Sequence, residues 1–201
     1  MLATTGRPPW TVTLVCGASG VGKSSVAVAL AIRYATPLAE ADDIVTALMT
    51  MTTSEQHPAL HYWNTHPEAR SFEPERISEL HFALAEAVRP AFEAVIADHV
   101  EFAAPVVFEG DYLLPELAAP FGAAVRAVVL EEPDEQRIVA NYGTREPDSG
   151  EQPHCARVSV LVGAELARRA SRIGIPVVAA RPWTDTLDRV DGALRSTTAV
   201  P

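Results

Sequence analysis

The stretch TVTLVCGASGVGKSS, residues 11–25, decides how the rest of the chain is read. Its first third is apolar and β-rich, and Gly17, Gly22, Lys23 and Ser24 satisfy the spacing G-x-x-x-x-G-K-S/T. A strand that hands such a loop to the start of a helix makes a cradle for phosphate oxygens. Small residues let successive backbone N–H groups close around the anion, and the positive end of the helix dipole points at it. The expected nucleotide contacts are Gly17, Ala18, Ser19, Gly20, Val21, Gly22, Lys23, Ser24 and Ser25, with the Lys23 ammonium on the β and γ phosphates and the Ser24 hydroxyl on Mg²⁺. Lys23 is the only lysine in the chain, against fifteen arginines. Lysine thus stands at the one place where a compact, flexible ammonium suits a phosphate chain better than a planar fork.

Composition narrows what surrounds this loop. With 201 residues, 48% of them hydrophobic, the chain can bury a sizeable core and reads as one domain, 1–201. A net charge of −10 opposes a broad phosphate-tracking surface, so no nucleic-acid partner is expected, while a local basic pocket for a small anion stays open. Cys16 and Cys155 lie far apart and form no metal-ligand spacing, which fits a reduced interior. No run approaches the roughly 18 apolar residues of a membrane span, and the first ten residues carry no secretion signal. The expectation is a cytoplasmic protein without a membrane partner, monomeric or homodimeric.

Short β-rich runs alternate with helix-length segments, the pattern of a parallel sheet with crossover helices. Strands are expected at 11–16, 36–40, 105–108, 125–130 and 175–179, and helices at 23–34, 44–51, 75–102, 156–173 and up to 194. Asp42 or Asp43 is expected to cap the second helix, and Pro90 to kink or divide the third. Residues 52–75, polar, aromatic and interrupted by Pro58, Pro67 and Pro74, read as an irregular insert. Residues 141–157 turn polar again, and the terminal STTAVP reads as a frayed tail.

Other segments bear on reaction class. There is no N-K-x-D guanine motif of a Ras-type switch and no LSGGQ signature of a transporter ATPase. With its phosphate loop, PLAEADDIVTAL (residues 37–48) and PVVFEGDYLLPEL (105–117), the chain resembles the P-loop small-molecule kinases. These include shikimate, gluconate and adenylate kinases, the chloramphenicol phosphotransferases and 2-phosphoglycerate kinase-like proteins. The resemblance implies a three-layer P-loop α/β fold, a five-stranded parallel sheet of order 2-3-1-4-5 with helices on both faces. It implies transfer of the γ-phosphoryl group of ATP, with Mg²⁺, to a hydroxyl or phosphate of a small metabolite or antibiotic.

Carried onto this sequence, the resemblance makes Asp42 the carboxylate that meets the acceptor, with Asp43 beside it. Glu109 and Asp111, at the end of the third strand, divide between Mg²⁺ and substrate, and Glu109 stands where aspartate is more usual. Residues 141–157 become a lid, in which Arg145 and Arg157, with Arg137 one helix earlier, are candidates for the transferring phosphoryl group. That match is positional, since no R-x-x-x-R spacing occurs. Arg181 in ARPW is placed on the adenine side, with Trp183 as core, and the choice of ATP over GTP stays open. The insert 52–75 would bind the acceptor, chiefly through Trp63 and Arg70. A zinc site of His57, His61 and His66 lacks a completing Cys or carboxylate. The alternative reading is a nucleotide-binding regulatory ATPase that acts through a protein partner.

Overall fold

The computed structural model describes residues 6–196; the residues 197–201 of the expected tail lie outside them. Strand β1 (Val12–Cys16) is buried along its whole length because it lies at the centre of the sheet, where apolar residues on both faces are covered. It pairs in parallel with β3 (Val106–Gly110) on one side and β4 (Val125–Glu131) on the other. The edge strands β2 (Leu38–Glu40) and β5 (Val177–Ala179) complete the order β2-β3-β1-β4-β5. In this register Cys16 lies opposite Gly110 and Val129. The loop 17–22 therefore leaves the sheet beside the end of β3, at the carboxyl edge where ligands of open α/β sheets gather.

Helices cover both faces: α1 (Lys23–Tyr34), α2 (Ala41–Met51), the single turn α3 (Tyr62–Thr65), α4 (Pro74–Glu101), α5 (Glu135–Arg145), α6 (Pro153–Arg172) and α7 (Thr186–Ser196). Leu14, Phe92, Phe108 and Leu130 anchor the core between the layers. No described helix is long and apolar enough to cross a membrane.

Four local expectations need correction. The second helix starts at Ala41, directly after β2, so its capping position falls on Glu40, and Asp42 and Asp43 sit in the first helical turn without capping it. That tight passage is possible because residue 110 is glycine; a methyl group there would run into the Ala41 side chain. Helix α4 is not divided at Pro90, whose ring lies on the exposed side while Val88 and Phe92 on either side are buried. Packing on both flanks outweighs the one lost backbone hydrogen bond. Finally, the insert is not wholly irregular: Pro67 opens a 3-10 turn (Pro67–Ser71) and Pro74 opens α4, the helix-starting use of proline. Helix α5 likewise runs through Arg145, leaving 146–152 as the connection to α6.

Candidate functional site

The loop between β1 and α1 separates two cavities. The first, of about 320 Å³, is lined on the loop side by Gly20, Gly22, Lys23, Ser24 and Ser25. Asn141, Tyr142, Thr144 and Arg145 of α5 form its opposite wall, and Trp183 closes its flank. Gly22 has φ 90°, a conformation that favours glycine, and the Trp183 indole rests directly on it, so a side chain at residue 22 has no room. Asn141 Nδ2 donates to the Gly20 carbonyl at 2.8 Å, which ties α5 to the loop. Free backbone amides at a helix start, one ammonium and a serine hydroxyl make this cavity suited to a phosphate chain.

The second cavity, of about 280 Å³, lies across the loop. Ser19 and Asp111 reach it from the loop and from the end of β3, Trp63 and Arg70 from the insert, and Ile77 and His81 from α4. Val158, Ser159 and Val162 of α6 form its floor, with His154 and Cys155 at the start of that helix. Tyr142 lines both cavities, and its hydroxyl is 2.8 Å from Ser159 Oγ.

Acidic groups cluster where the loop meets β3. Asp42 is open to solvent, yet partial desolvation and then the negative field of Asp111 raise its carboxyl above the ordinary range; Lys23 pulls the other way. Glu109 is 5% exposed and lies opposite Val15 of β1 and Glu40 of β2. The His81 ring N–H (Nε2) donates to the Asp111 carbonyl at 3.0 Å, and the ring stacks on Tyr112 with centroids 4.7 Å apart. Burial lowers the His81 pKa, so the ring is neutral at neutral pH. The oxygen donors of Ser24, Glu109 and Asp111 are of the hard kind that suits Mg²⁺. None of Asp42, Asp43 and Glu109 lines either cavity, and Asp43 is exposed.

The arginines divide sharply. Arg145 lies across the loop, with Nη1 3.5 Å from Ser19 Oγ and its guanidinium 5.0 Å from the Tyr142 ring centroid, while pairing with Glu146 at 2.6 Å. Arg137 is turned to Asp134 (3.1 Å) and Glu132 (3.8 Å), and Arg157 to Glu135 (3.8 Å); neither lines a cavity. Arg181 lies over Trp183 at 5.0 Å, reaches Asn141 Oδ1 at 3.5 Å and faces the buried Glu132, one step behind the first cavity. His61 engages Thr52 Oγ1 at 3.0 Å and His66 engages Thr65 Oγ1 at 2.9 Å. Among the described residues no three His, Cys, Asp or Glu side chains gather to hold a metal.

Sequence reasoning passes over Trp183 as a cavity wall, Asn141, Tyr142 and Thr144 on α5, and His81. The signal for the α5 set is present: Ile138, Asn141, Tyr142 and Arg145 recur at helical spacing. His81 follows Ile77 by one turn on the same face of α4.

No protein-family model matches the chain, and neither does any curated protein. Solved structures do match. A gluconokinase from Sinorhizobium meliloti 1021, 20% identical, superposes with a TM-score of 0.58 over 94% of this chain and 93% of the other. The fold is that of the small-molecule kinases. A shikimate kinase from Bacteroides thetaiotaomicron shares this kinase fold at 14% identity and a TM-score of 0.53, covering 92% of this chain and 98% of that one. A deoxyadenosine kinase from M. mycoides shares it at 8% identity and a TM-score of 0.50, covering 92% of this chain and all of the other (100%).

Proposed function

We propose that this protein is a kinase that transfers the γ-phosphoryl group of ATP to a hydroxyl, or a phosphate, of a small molecule. The observation that carries this reading is the placement of a phosphate loop between two cavities, with Lys23 on the nucleotide side and Asp111, in the field of Asp42, toward the acceptor side. The likeness to small-molecule kinases supports it at the level of fold.

In this reading the loop amides and Lys23 hold the triphosphate, and Trp183, Asn141 and Arg181 border the base. A Mg²⁺ ion held by Ser24 and Glu109 would offset charge on the β and γ phosphates. Asp42 and Asp111 orient the acceptor hydroxyl and take its proton. As the acceptor oxygen bonds to the γ-phosphorus, the bond to the β-γ bridging oxygen breaks and ADP leaves with the electron pair. Arg145 leaves Glu146 for the transferring phosphoryl, and 146–152 closes over it as a lid, excluding water. The insert 52–75 supplies acceptor contacts through Trp63 and Arg70. Most of the rate enhancement comes from positioning and charge neutralisation, as is general for phosphoryl transfer.

The test is acceptor-dependent ADP release across a panel of hydroxylated metabolites and antibiotics, with Lys23→Ala as control. Turnover with at least one acceptor, abolished in the Lys23→Ala protein, is expected. A flat response across the panel, or wild-type nucleotide affinity without the Lys23 ammonium, overturns the reading.

A further inference from the structure

The lining of the second cavity restricts what can enter it, and this inference rests on the kinase reading above. Trp63, Ile77, Val158 and Val162 present an apolar wall, and Tyr142 extends it. Two polar pairs that interrupt the wall are engaged with each other, the Tyr142 and Ser159 hydroxyls at 2.8 Å and His81 Nε2 with the Asp111 backbone carbonyl, which leaves the Asp111 carboxylate, Arg70 and His154 as the groups open to a ligand. A polyol carries more hydroxyls than these few groups can meet, and each hydroxyl beyond them would be pressed against carbon without a partner to replace its water. A flat ring would instead bury apolar surface on apolar surface.

Arg70 sets a second condition. Among the described residues Arg7, Arg70 and Arg172 are the arginines without an acidic or carbonyl partner, and of these only Arg70 faces either ligand cavity. Arg70 is exposed to solvent where it lines the cavity, so its guanidinium fork is available to an anion from outside. Asp111, reaching the same cavity from the β3 side, is suited to a hydroxyl and repels a carboxylate.

We infer that the acceptor is a ring-bodied, largely apolar molecule with one hydroxyl directed to Asp111 and a carboxylate or similar anion held by Arg70, and that polyhydroxylated acids are excluded.

Cys155 offers a readout independent of phosphoryl transfer. It lines the cavity and is exposed, whereas Cys16 is buried, so a neutral alkylating reagent such as iodoacetamide should report on cavity occupancy through Cys155. The probes are 4-(hydroxymethyl)benzoate, 3-phenyllactate and mandelate as ring acids, benzyl alcohol as the ring without the anion, and D-gluconate as the polyol acid. In the absence of nucleotide, at least one ring acid should slow Cys155 alkylation, measured by mass spectrometry, while D-gluconate at the same concentration leaves it unchanged. Arg70→Gln should weaken protection by the ring acid about tenfold to a hundredfold and leave the effect of benzyl alcohol as it was. Arg70→Lys should retain part of it. The inference is overturned if D-gluconate protects as well as the ring acids, if no ring acid protects, or if Arg70→Gln changes nothing. ATP affinity measured on the same protein separates these outcomes from failure of the kinase reading, which would appear as absent nucleotide binding.

Discussion

Gly22 and Trp183 meet so closely that each dictates the other. A methyl group at residue 22 would face both a left-handed backbone, φ 90°, and the indole ring. Gly22→Ala should therefore lower stability by about 1–3 kcal/mol and weaken ATP binding, as read by thermal melting and calorimetry. Adding Trp183→Ala should recover the part caused by collision and leave the backbone part, and strictly additive losses would contradict the contact. Asp42 carries a second prediction at this scale. Its carboxyl is raised, so the acid limb of kcat/KM should have its midpoint above the ordinary aspartate value of about 3.9. Asp42→Asn should remove that limb and cut turnover by about 10²-fold or more. Because a raised carboxyl makes its ionised form a burden on the folded state above the folded pKa, the same substitution should leave stability at pH 7 equal or slightly higher. A marked loss of stability in Asp42→Asn would assign the residue to the scaffold instead.

Helices α1 and α7 hold the two flanks of the first cavity together, the first leaving the loop 17–22 and the second following Trp183. Asp191 is the knot: Tyr34 donates to it at 2.6 Å, Arg195 at 2.8 Å and Arg33 at 3.2 Å, while Arg33 also reaches Asp188 at 2.6 Å. Burial opposes its charge, but these donors outweigh burial, so its pKa lies below the usual carboxylate range. The stabilisation is then complete above about pH 4 and is lost as pH falls through the lower folded value. Asp191→Ala should cost about 3–5 kcal/mol at pH 7, because it leaves the Arg33 guanidinium buried and short of a partner, and the deficit should shrink below about pH 4 in urea titrations. A penalty that stays constant with pH would mean packing, not charge, is what the residue supplies. Much of this scale was legible in the sequence: the five strands read as apolar β-rich runs, and the spacing from Gly17 to Ser24 fixed where the loop lies. Helix α5 was not legible to its end, because Asn141 and Arg145 on its inward face are polar, turned toward the phosphate loop and not toward the core. Apolar periodicity alone misses such a face, and the helical spacing of Ile138, Asn141, Tyr142 and Arg145 marks it only when polar residues are counted with apolar ones. Trp183 was passed over for the converse reason, since a lone aromatic after a strand reads as core.

The whole molecule places two cavities on opposite sides of one loop and joins them by a chain of contacts that runs from Arg145 in the first to the start of α6 at the second. Arg145 holds Glu146, and Glu146 accepts from Gln152 Nε2 at 3.0 Å, one residue before α6 begins and three before Cys155. If a nucleotide draws Arg145 onto its phosphates, the charge that fixes Glu146 is withdrawn and the segment 146–152 is freed to move toward the start of α6. Occupation of the first cavity should then be felt at Cys155, at the start of α6 in the second. The expected outcome is that a non-hydrolysable ATP analogue with Mg²⁺, and no acceptor, changes the rate of Cys155 alkylation by about fivefold or more, a coupling of about 1 kcal/mol. Arg145→Ala should abolish that response while the analogue still binds, since Lys23 and the loop amides remain. If the alkylation rate is the same with and without the analogue, the two cavities are independent and the lid is not linked through Arg145. If the response persists in Arg145→Ala, the signal passes instead through Tyr142 and its bond to Ser159, the one side chain shared by both cavities, and Tyr142→Phe is the variant that should silence it.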